Sequence, residues 1–257
     1  MRVAALILGL VAALHAGVWL LLRESGTAPA AYGQFPSLSF SPFGPNMRPD
    51  KDELTTEEQI RSDLKVIAPY TRAIRTYGST QGLEHAPSIA AEFGLKVTIG
   101  ISIRKIDYGD ERENEKNKEQ IEKNKKKNEA EIESAIKLAK ENWNVNAVVV
   151  GNEAILHDDI KVDDLIELIQ RVKREVSVPV TTGESWKNWR DNQNLVSNVD
   201  FIAVHILPYW EGVPEEHAAD DAIGKYEELR RNYPGKRIVV GEFGWPSAGY
   251  NLSLIHI

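Results

Sequence analysis

Short apolar runs alternate with longer charged stretches between residues 38 and 245. This alternation is typical of β/α units around a parallel sheet, which is either open or closed into a barrel. The predicted strands are Leu38–Phe43, Ala73–Gly78, Lys96–Ile103, Ala147–Ile155, Pro179–Trp186, Phe201–Tyr209 and Arg237–Trp245.

Helical periodicity fills several of the gaps between these strands. In Thr56–Ala68, the apolar residues Ile60, Leu64 and Ile67 fall on one helical face, and the same spacing recurs in Val162–Val176. Each of these segments therefore predicts an amphipathic helix that packs on the sheet.

The stretch Glu111–Lys140 is a mixed run of Glu, Lys and Asn. Apart from Ile121, it gains an apolar stripe of Ile132, Ile136 and Ala139 only near its end. Such a charge run is typical of a solvated helix carrying i,i+4 ion pairs, and we interpret it so.

The amino-terminal segment from Val3 to Leu22 is apolar apart from His15, about the length that a helix needs to cross a bilayer. The sequence predicts a membrane anchor over residues 1–25, then a linker over residues 26–36. The alternative is a signal peptide cleaved at Ala28-Pro29-Ala30. Both predict that the rest of the chain is exported to the periplasmic or extracellular side.

The last six residues, Leu252–Ile257, resemble one reading frame of a transposase adapter used in sequencing libraries. We predict that they carry no biological role and that the folded domain covers residues 37–251.

Charge and composition exclude several classes of partner. Asp plus Glu number 38 against 31 for Lys plus Arg, and the net charge of −7 disfavours nucleic acid and anionic surfaces. With no cysteine, the chain has no disulfide, thiolate metal site or cysteine nucleophile. Its six histidines are scattered, so we predict no metal and no cofactor.

Polar and aromatic residues follow the carboxyl ends of several predicted strands, whereas no phosphate-binding glycine motif occurs. This is the pattern of a (β/α)₈ TIM barrel, whose active site is built at those ends. The segments are Arg75-Thr76-Tyr77-Gly78, Gly151-Asn152-Glu153, Glu184-Ser185-Trp186, Pro208-Tyr209-Trp210 and Glu242-Phe243-Gly244-Trp245.

Two glutamates among these segments follow strands of the same type. Glu153 and Glu242 each follow a β-branched run that stops at a glycine. One glutamate at a strand end is ordinarily solvated or ion-paired, but two at one barrel mouth suit glycoside hydrolysis. One carboxyl would need a raised pKa to donate a proton, while the other stays ionised.

These motifs resemble glycoside hydrolase family 17, over roughly Leu38 to Tyr250. The specific elements are Arg75-Thr76-Tyr77-Gly78, Val150-Gly151-Asn152-Glu153 and Gly241-Glu242-Phe243-Gly244-Trp245-Pro246-Ser247. The resemblance implies a (β/α)₈ barrel that acts on β-1,3-glucans with retention of configuration. It also implies that Glu153 is the general acid/base and Glu242 the nucleophile, with carboxyl groups about 5–5.5 Å apart.

The resemblance implies further substrate-binding residues. Asn152 is similar to an asparagine that binds the sugar 2-hydroxyl, and Tyr209 to a tyrosine that orients the nucleophile. Tyr77 would contact the sugar or the acid, Arg75 would form an inward salt bridge or touch ligand, and Glu184 would have a polarity or binding role. The tryptophans that offer sugar-stacking faces, or ordinary packing, are Trp186, Trp210 and Trp245.

No eighth strand follows Trp245, which predicts an incomplete barrel and a truncated chain. Three hypotheses of function remain open. The first is a membrane-anchored β-1,3-glucan hydrolase or transglycosylase. The second is the glucan-remodelling module of a larger membrane β-glucan synthase with a family 2 glycosyltransferase, and the third is a glucan-binding module without turnover.

Overall fold

The computed structural model describes residues 2–22, 33–44, 47 and 53–245 of the chain, so part of the predicted linker and the Leu252–Ile257 segment lie outside the described residues. The chain divides into the units Met1–Gly33 and Gln34–Ile257. The first contains helix α1, Arg2–Leu22. Among the residues described, no helix is long and apolar enough to cross a membrane. The anchor stays a prediction.

The second unit is built on one sheet of seven parallel strands that lie in sequence order. Every predicted strand is present, but each ends earlier than predicted because the chain turns away where the polar segments begin. The strands are β1 Leu38–Ser39, β2 Ala73–Arg75, β3 Lys96–Ile101, β4 Val145–Asn152, β5 Val180–Ser185, β6 Ile202–Ile206 and β7 Ile238–Phe243.

Helices connect the strands and cover the outer face of the sheet. The three predicted helices are confirmed, with the charged stretch broken into two helices at Asn117. The helices are α2 Glu57–Ile67, α3 Ala86–Glu92, α4 Glu111–Lys116, α5 Lys118–Glu141, α6 Val162–Glu175, α7 Trp186–Asp191, α8 Gln193–Asn198 and α9 Glu215–Asn232.

The main apolar core lies between the strands and these helices. Ile60 and Leu64 of α2 and Leu165 and Ile169 of α6 are fully buried there, as the periodicity predicts. A smaller apolar cluster of Ala147, Phe201 and Ala203 groups residues of β4 with residues in and beside β6.

Contacts between distant strands show that the sheet curls. The hydroxyl of Tyr77, just after β2, donates a hydrogen bond of 2.8 Å to Glu242 on β7, although four strands separate them in the sheet. The sheet is therefore a nearly closed barrel, and it fits a TIM-like barrel that lacks one strand. Val239 and Val240 of β7 are 41% and 44% exposed at its edge.

Helix α5 differs from the solvated helix that its composition predicts. Asn124, Asn128 and Glu131 share one face and are buried. Asn124 donates to the carbonyl of Lys105 at 2.7 Å, and Asn128 bonds both the N–H and the carbonyl of Arg104 at 2.9 Å. This polar face replaces an apolar stripe and binds the loop after β3.

The carboxylate of Glu131 extends the same contact to the loop after β2. It accepts hydrogen bonds from the N–H and hydroxyl of Ser79, the hydroxyl of Thr80 and the N–H of Ser102. A Cβ at Gly78 would lie 3.3 Å from this carboxylate, so the glycine leaves room for it. Glu131 thus joins α5 to the segment that follows Tyr77.

We expect Glu131→Gln to lower the free energy of unfolding by roughly 2–4 kcal/mol, because an amide NH₂ would face buried donors that lose an acceptor. Chemical denaturation measures the change. Glu133→Gln on the same helix is the matched control, since Glu133 is exposed, and should change stability by less than about 0.5 kcal/mol. Equal effects of the two variants would contradict the structural role of the buried carboxylate.

Candidate active site

The end of β4 presents Asn152 and Glu153 at the barrel mouth. Gly151 has φ +81° and Glu153 has φ +52°, a left-handed conformation that non-glycine residues seldom adopt. The Glu153 N–H donates to the carbonyl of Gly183 on β5 at 2.7 Å, which holds this turn against the neighbouring strand. Strain of this kind is concentrated at functional sites.

Arg75 lies inside the barrel, 7% exposed, at the end of β2. Its Nη2 donates to Asn152 Oδ1 at 2.6 Å, and its Nη1 is 3.6 Å from Glu242 Oε1. Burial lowers the pKa of Arg75, while the Glu242 and Glu153 carboxylates oppose that shift. Of its two predicted roles, the structure shows the inward salt bridge.

Glu242 is held from two sides. Tyr77 donates to its Oε1 at 2.8 Å, and the Arg75 guanidinium lies next to the same oxygen. Burial raises the pKa of the Tyr77 hydroxyl, which therefore stays a donor. A hydrogen bond and an ion pair therefore fix Oε1 of Glu242 in place.

Glu153 is held by histidine. The Nδ1 of His205 is 2.9 Å from Glu153 Oε1, and the Nε2 of His157 is 3.5 Å from Oε2. The hydrogen bond with His205 lowers the pKa of Glu153, and burial opposes this effect without reversing it. A general acid at Glu153 predicts a raised pKa, but the pKa of Glu153 is lowered because His205 stabilises the carboxylate.

His205 is the main site residue that the sequence analysis missed. It is buried on β6, and its ring contacts both Glu153 and Glu242, at 2.9 Å and 3.7 Å. The sequence feature that indicates it is a polar residue inside the apolar run 201–207, because a buried histidine needs hydrogen-bond partners.

Two glycines make room for this arrangement. A Cβ at Gly183 would lie 2.7 Å from Arg75 Nη2 and 2.9 Å from His205 Nε2. A Cβ at Gly241 would lie 3.2 Å from His205 Cδ2 and 3.3 Å from Arg75 Nη1. The glycines before Glu184 and Glu242 therefore admit the Arg75 and His205 side chains.

Glu184 is fully buried behind the mouth. Its Oε1 accepts the N–H of Ile155, and its Oε2 accepts the side-chain amide of Asn188, both at 2.8 Å. Burial raises its pKa, and these hydrogen bonds oppose the shift. Glu184 thus supports the loop that carries Glu153, and its binding role stays a prediction.

The predicted aromatic residues occupy different environments. Trp186 is buried, and its Nε1 donates to Glu211 at 2.9 Å. Trp210 is 76% exposed, and Tyr209 packs edge-to-face against both Trp210 and Trp245. Trp186 and Trp210 line one pocket, and the sugar-stacking roles of Trp186, Trp210 and Trp245 stay predictions. The proposed contact of Tyr209 with the nucleophile stays a prediction.

A pocket of about 440 Å³ lies beside Glu153. Leu156, Trp210 and Leu207 give it apolar walls, and His157 and Lys187 add polar groups. Among the described residues, no group of three carboxylate or histidine side chains is arranged to hold a metal.

A family model described as the BtgE/BtgC glycoside hydrolase domain matches residues 37–254. The chain belongs to this family. Curated relatives of this BtgE/BtgC domain include a probable glucan endo-1,3-beta-glucosidase btgC of Aspergillus clavatus, 25% identical over 84% of the chain. A glucan 1,3-beta-glucosidase of Schizosaccharomyces pombe is 26% identical over 73%. The chain spans 31% of the Aspergillus protein and 59% of the Schizosaccharomyces protein.

Solved structures with the same fold include a glycoside hydrolase family 17 beta-1,3-glucanosyltransferase from Rhizomucor miehei. It aligns with a TM-score of 0.68 and 23% identity, over 84% of this chain and 74% of that one. An active-site mutant of the same enzyme in complex with laminaritriose also aligns with a TM-score of 0.68. The family model and the glucanase relatives bear out the resemblance to a family 17-like glycoside hydrolase, and the solved structures show the same fold.

Proposed function

We propose that this domain is a retaining glycosidase or glucanosyltransferase that acts on β-1,3-glucans, with Glu242 as nucleophile and Glu153 as general acid/base. The observation that carries the proposal is that both carboxylates lie close to the ring of His205 at the barrel mouth, at 2.9 Å and 3.7 Å. Two carboxyl groups facing one cleft are the machinery of glycoside cleavage.

The contacts of Glu242 and the position of Asn152 support the assigned roles. Tyr77 and Arg75 hold the Glu242 carboxyl group in position at the barrel mouth, which suits attack on the anomeric carbon. That attack forms a glycosyl ester and breaks the glycosidic bond, and Glu153 gives its proton to the leaving oxygen. Asn152, fixed by Arg75, is placed next to the acid, where it would bind the sugar 2-hydroxyl.

In the second half of the reaction, Glu153 takes a proton from the acceptor, which attacks the anomeric carbon and releases Glu242. Water as acceptor gives hydrolysis, and a sugar hydroxyl gives transfer. The apolar pocket beside Glu153 supports binding of a sugar acceptor there, because Leu156 and Trp210 offer surface on which a pyranose can pack. The names of the relatives support β-1,3-glucan as substrate.

Proton NMR of the first products from linear β-1,3-glucan oligosaccharides tests this function. Retention gives the β-anomer first, with the α-anomer appearing only by mutarotation. Longer oligosaccharides that form early would identify transfer. An α-anomer as first product would contradict the retaining pair, and a protein that binds glucan without turnover would favour a binding module.

We also propose that the barrel acts outside the cytoplasm, on the support of the apolar run from Val3 to Leu22. Alkaline phosphatase fused after residue 36 should be active in a bacterial host, since that enzyme requires an oxidising compartment. An inactive fusion, with an active fusion to a known signal peptide as control, would contradict export.

A further inference from the structure

The ring of His205 lies between the two carboxylates on which the proposed function depends. Its side chain has no exposed surface, so the groups around it determine which nitrogen carries the proton. Nδ1 faces Glu153 Oε1 at 2.9 Å, and Nε2 faces Arg75 Nη1 at 3.2 Å.

Arg75 decides between the two ring tautomers. A guanidinium donates hydrogen bonds and accepts none, so Nε2 of His205 must be the acceptor of the Arg75 contact. The ring proton then lies on Nδ1, which donates to Oε1 of Glu153. The same guanidinium fixes Asn152 through its Nη2.

Other charged groups also face this pair. Glu242 Oε1 is 3.7 Å from Nε2 of His205, and His157 lies 3.5 Å from the second oxygen of Glu153. Glu184 acts on His205 electrostatically from beneath the β4 loop. Of the groups that act on Glu153, His205 has the largest effect.

We propose that Arg75 and His205 are a positioning pair that occupies Oε1 of Glu153 and leaves Oε2 to transfer the proton. The proposal rests on the proposed function and adds residues to it. Neither side chain exchanges a proton with substrate: His205 fixes the orientation of the acid, and Arg75 fixes the tautomer of His205. Gly183 and Gly241 provide the space for both side chains.

The pair also determines the direction of a pH effect. A hydrogen bond donated to Glu153 favours its carboxylate, so its pKa is lowered and the protonated acid is lost at a lower pH. Since the first step needs the protonated acid, kcat/KM falls as pH rises through this pKa. Removing the donor should therefore extend activity to higher pH.

Two matched variants of His205 test its contact with Glu153 and its contact with Arg75 separately. In His205→Asn, the side-chain amide lies near the former position of Nδ1 and keeps a donor for Glu153. In His205→Gln, the side-chain amide lies near the former position of Nε2 and keeps an acceptor for Arg75. We expect His205→Gln to move the alkaline limb of kcat/KM upward by about one pH unit. His205→Asn should keep the alkaline limb of kcat/KM at the wild-type pH, even if kcat falls.

The leaving group supplies a second readout. We expect His205→Gln to lower kcat/KM at least about tenfold on β-1,3-glucan oligosaccharides, but less than about threefold on a dinitrophenyl glycoside that needs no protonation. Equal losses on both substrates, with an unmoved limb, would overturn the proposal, because a general structural defect gives that result.

The wild-type protein provides a measurement that needs no folded variant. With ¹⁵N-labelled histidine, His205 should show a protonated, pyrrole-type Nδ1 and a pyridine-type Nε2. The reverse pattern would overturn the positioning pair. An inactive wild-type protein would instead count against the proposed function, so the two failures are distinguishable.

Discussion

Glu242→Gln is expected to lower kcat on β-1,3-glucan oligosaccharides roughly 10⁵-fold, close to background, while substrate binding is retained. An amide is almost the shape of a carboxylate but does not attack the anomeric carbon. Tyr77 donates to Oε1, and the variant keeps an oxygen there to accept this bond. Steady-state kinetics and calorimetric titration with laminaritriose measure the two effects.

Glu216→Gln is the matched control for this variant, because Glu216 is an exposed glutamate in the first turn of α9. It should leave kcat within about twofold of wild type. If Glu242→Gln kept more than about a hundredth of the wild-type kcat, Glu242 would not be the nucleophile, whatever its effect on binding.

Glu153→Ala is expected to lower kcat/KM on glucan by roughly 10²–10⁴-fold, the usual contribution of a general acid. The loss should be small for a dinitrophenyl leaving group, which departs without protonation. Deglycosylation then becomes slow, since no base activates water. Azide needs no base and fits the space left by the side chain, so it should restore turnover and give a β-glycosyl azide.

The configuration of the azide product distinguishes the two roles. Attack on a glycosyl ester of Glu242 gives the β-azide, whereas an α-azide from Glu153→Ala would mean that Glu153 is the nucleophile and the roles are reversed. His157→Ala is the control, because His157 lies near the same carboxylate but is largely exposed. It should need no azide for activity.

The number of strands could be predicted from the sequence because most strands lie in short apolar runs, several of them rich in β-branched residues, between polar segments. The strand ends of β4 and β7 also predicted Glu153 and Glu242, since parallel strands place their carboxyl ends at one side. These inferences need only local patterns. The predicted strands extend too far along the chain, because residues such as Thr76 to Gly78 leave the sheet to form the mouth.

Contacts across the barrel could not be predicted in the same way. The apolar run around His205 shows that the histidine is buried, but not which side chains face it from β2, β4 and β7. The buried face of α5 was missed for a related reason. Asn124 and Asn128 pair with loop backbone at Arg104 and Lys105, and composition carries no information about such partners.

Gly183 and Gly241 limit how this site can be re-engineered. A methyl group at Gly183 would meet Arg75 and His205 within 3 Å, so libraries that randomise this position should return glycine almost exclusively among active clones. A larger residue would become acceptable only if His205 or Arg75 changed in the same clone. Directed evolution of specificity is therefore best aimed at Leu156 and Trp210, which line the pocket without crowding this interior.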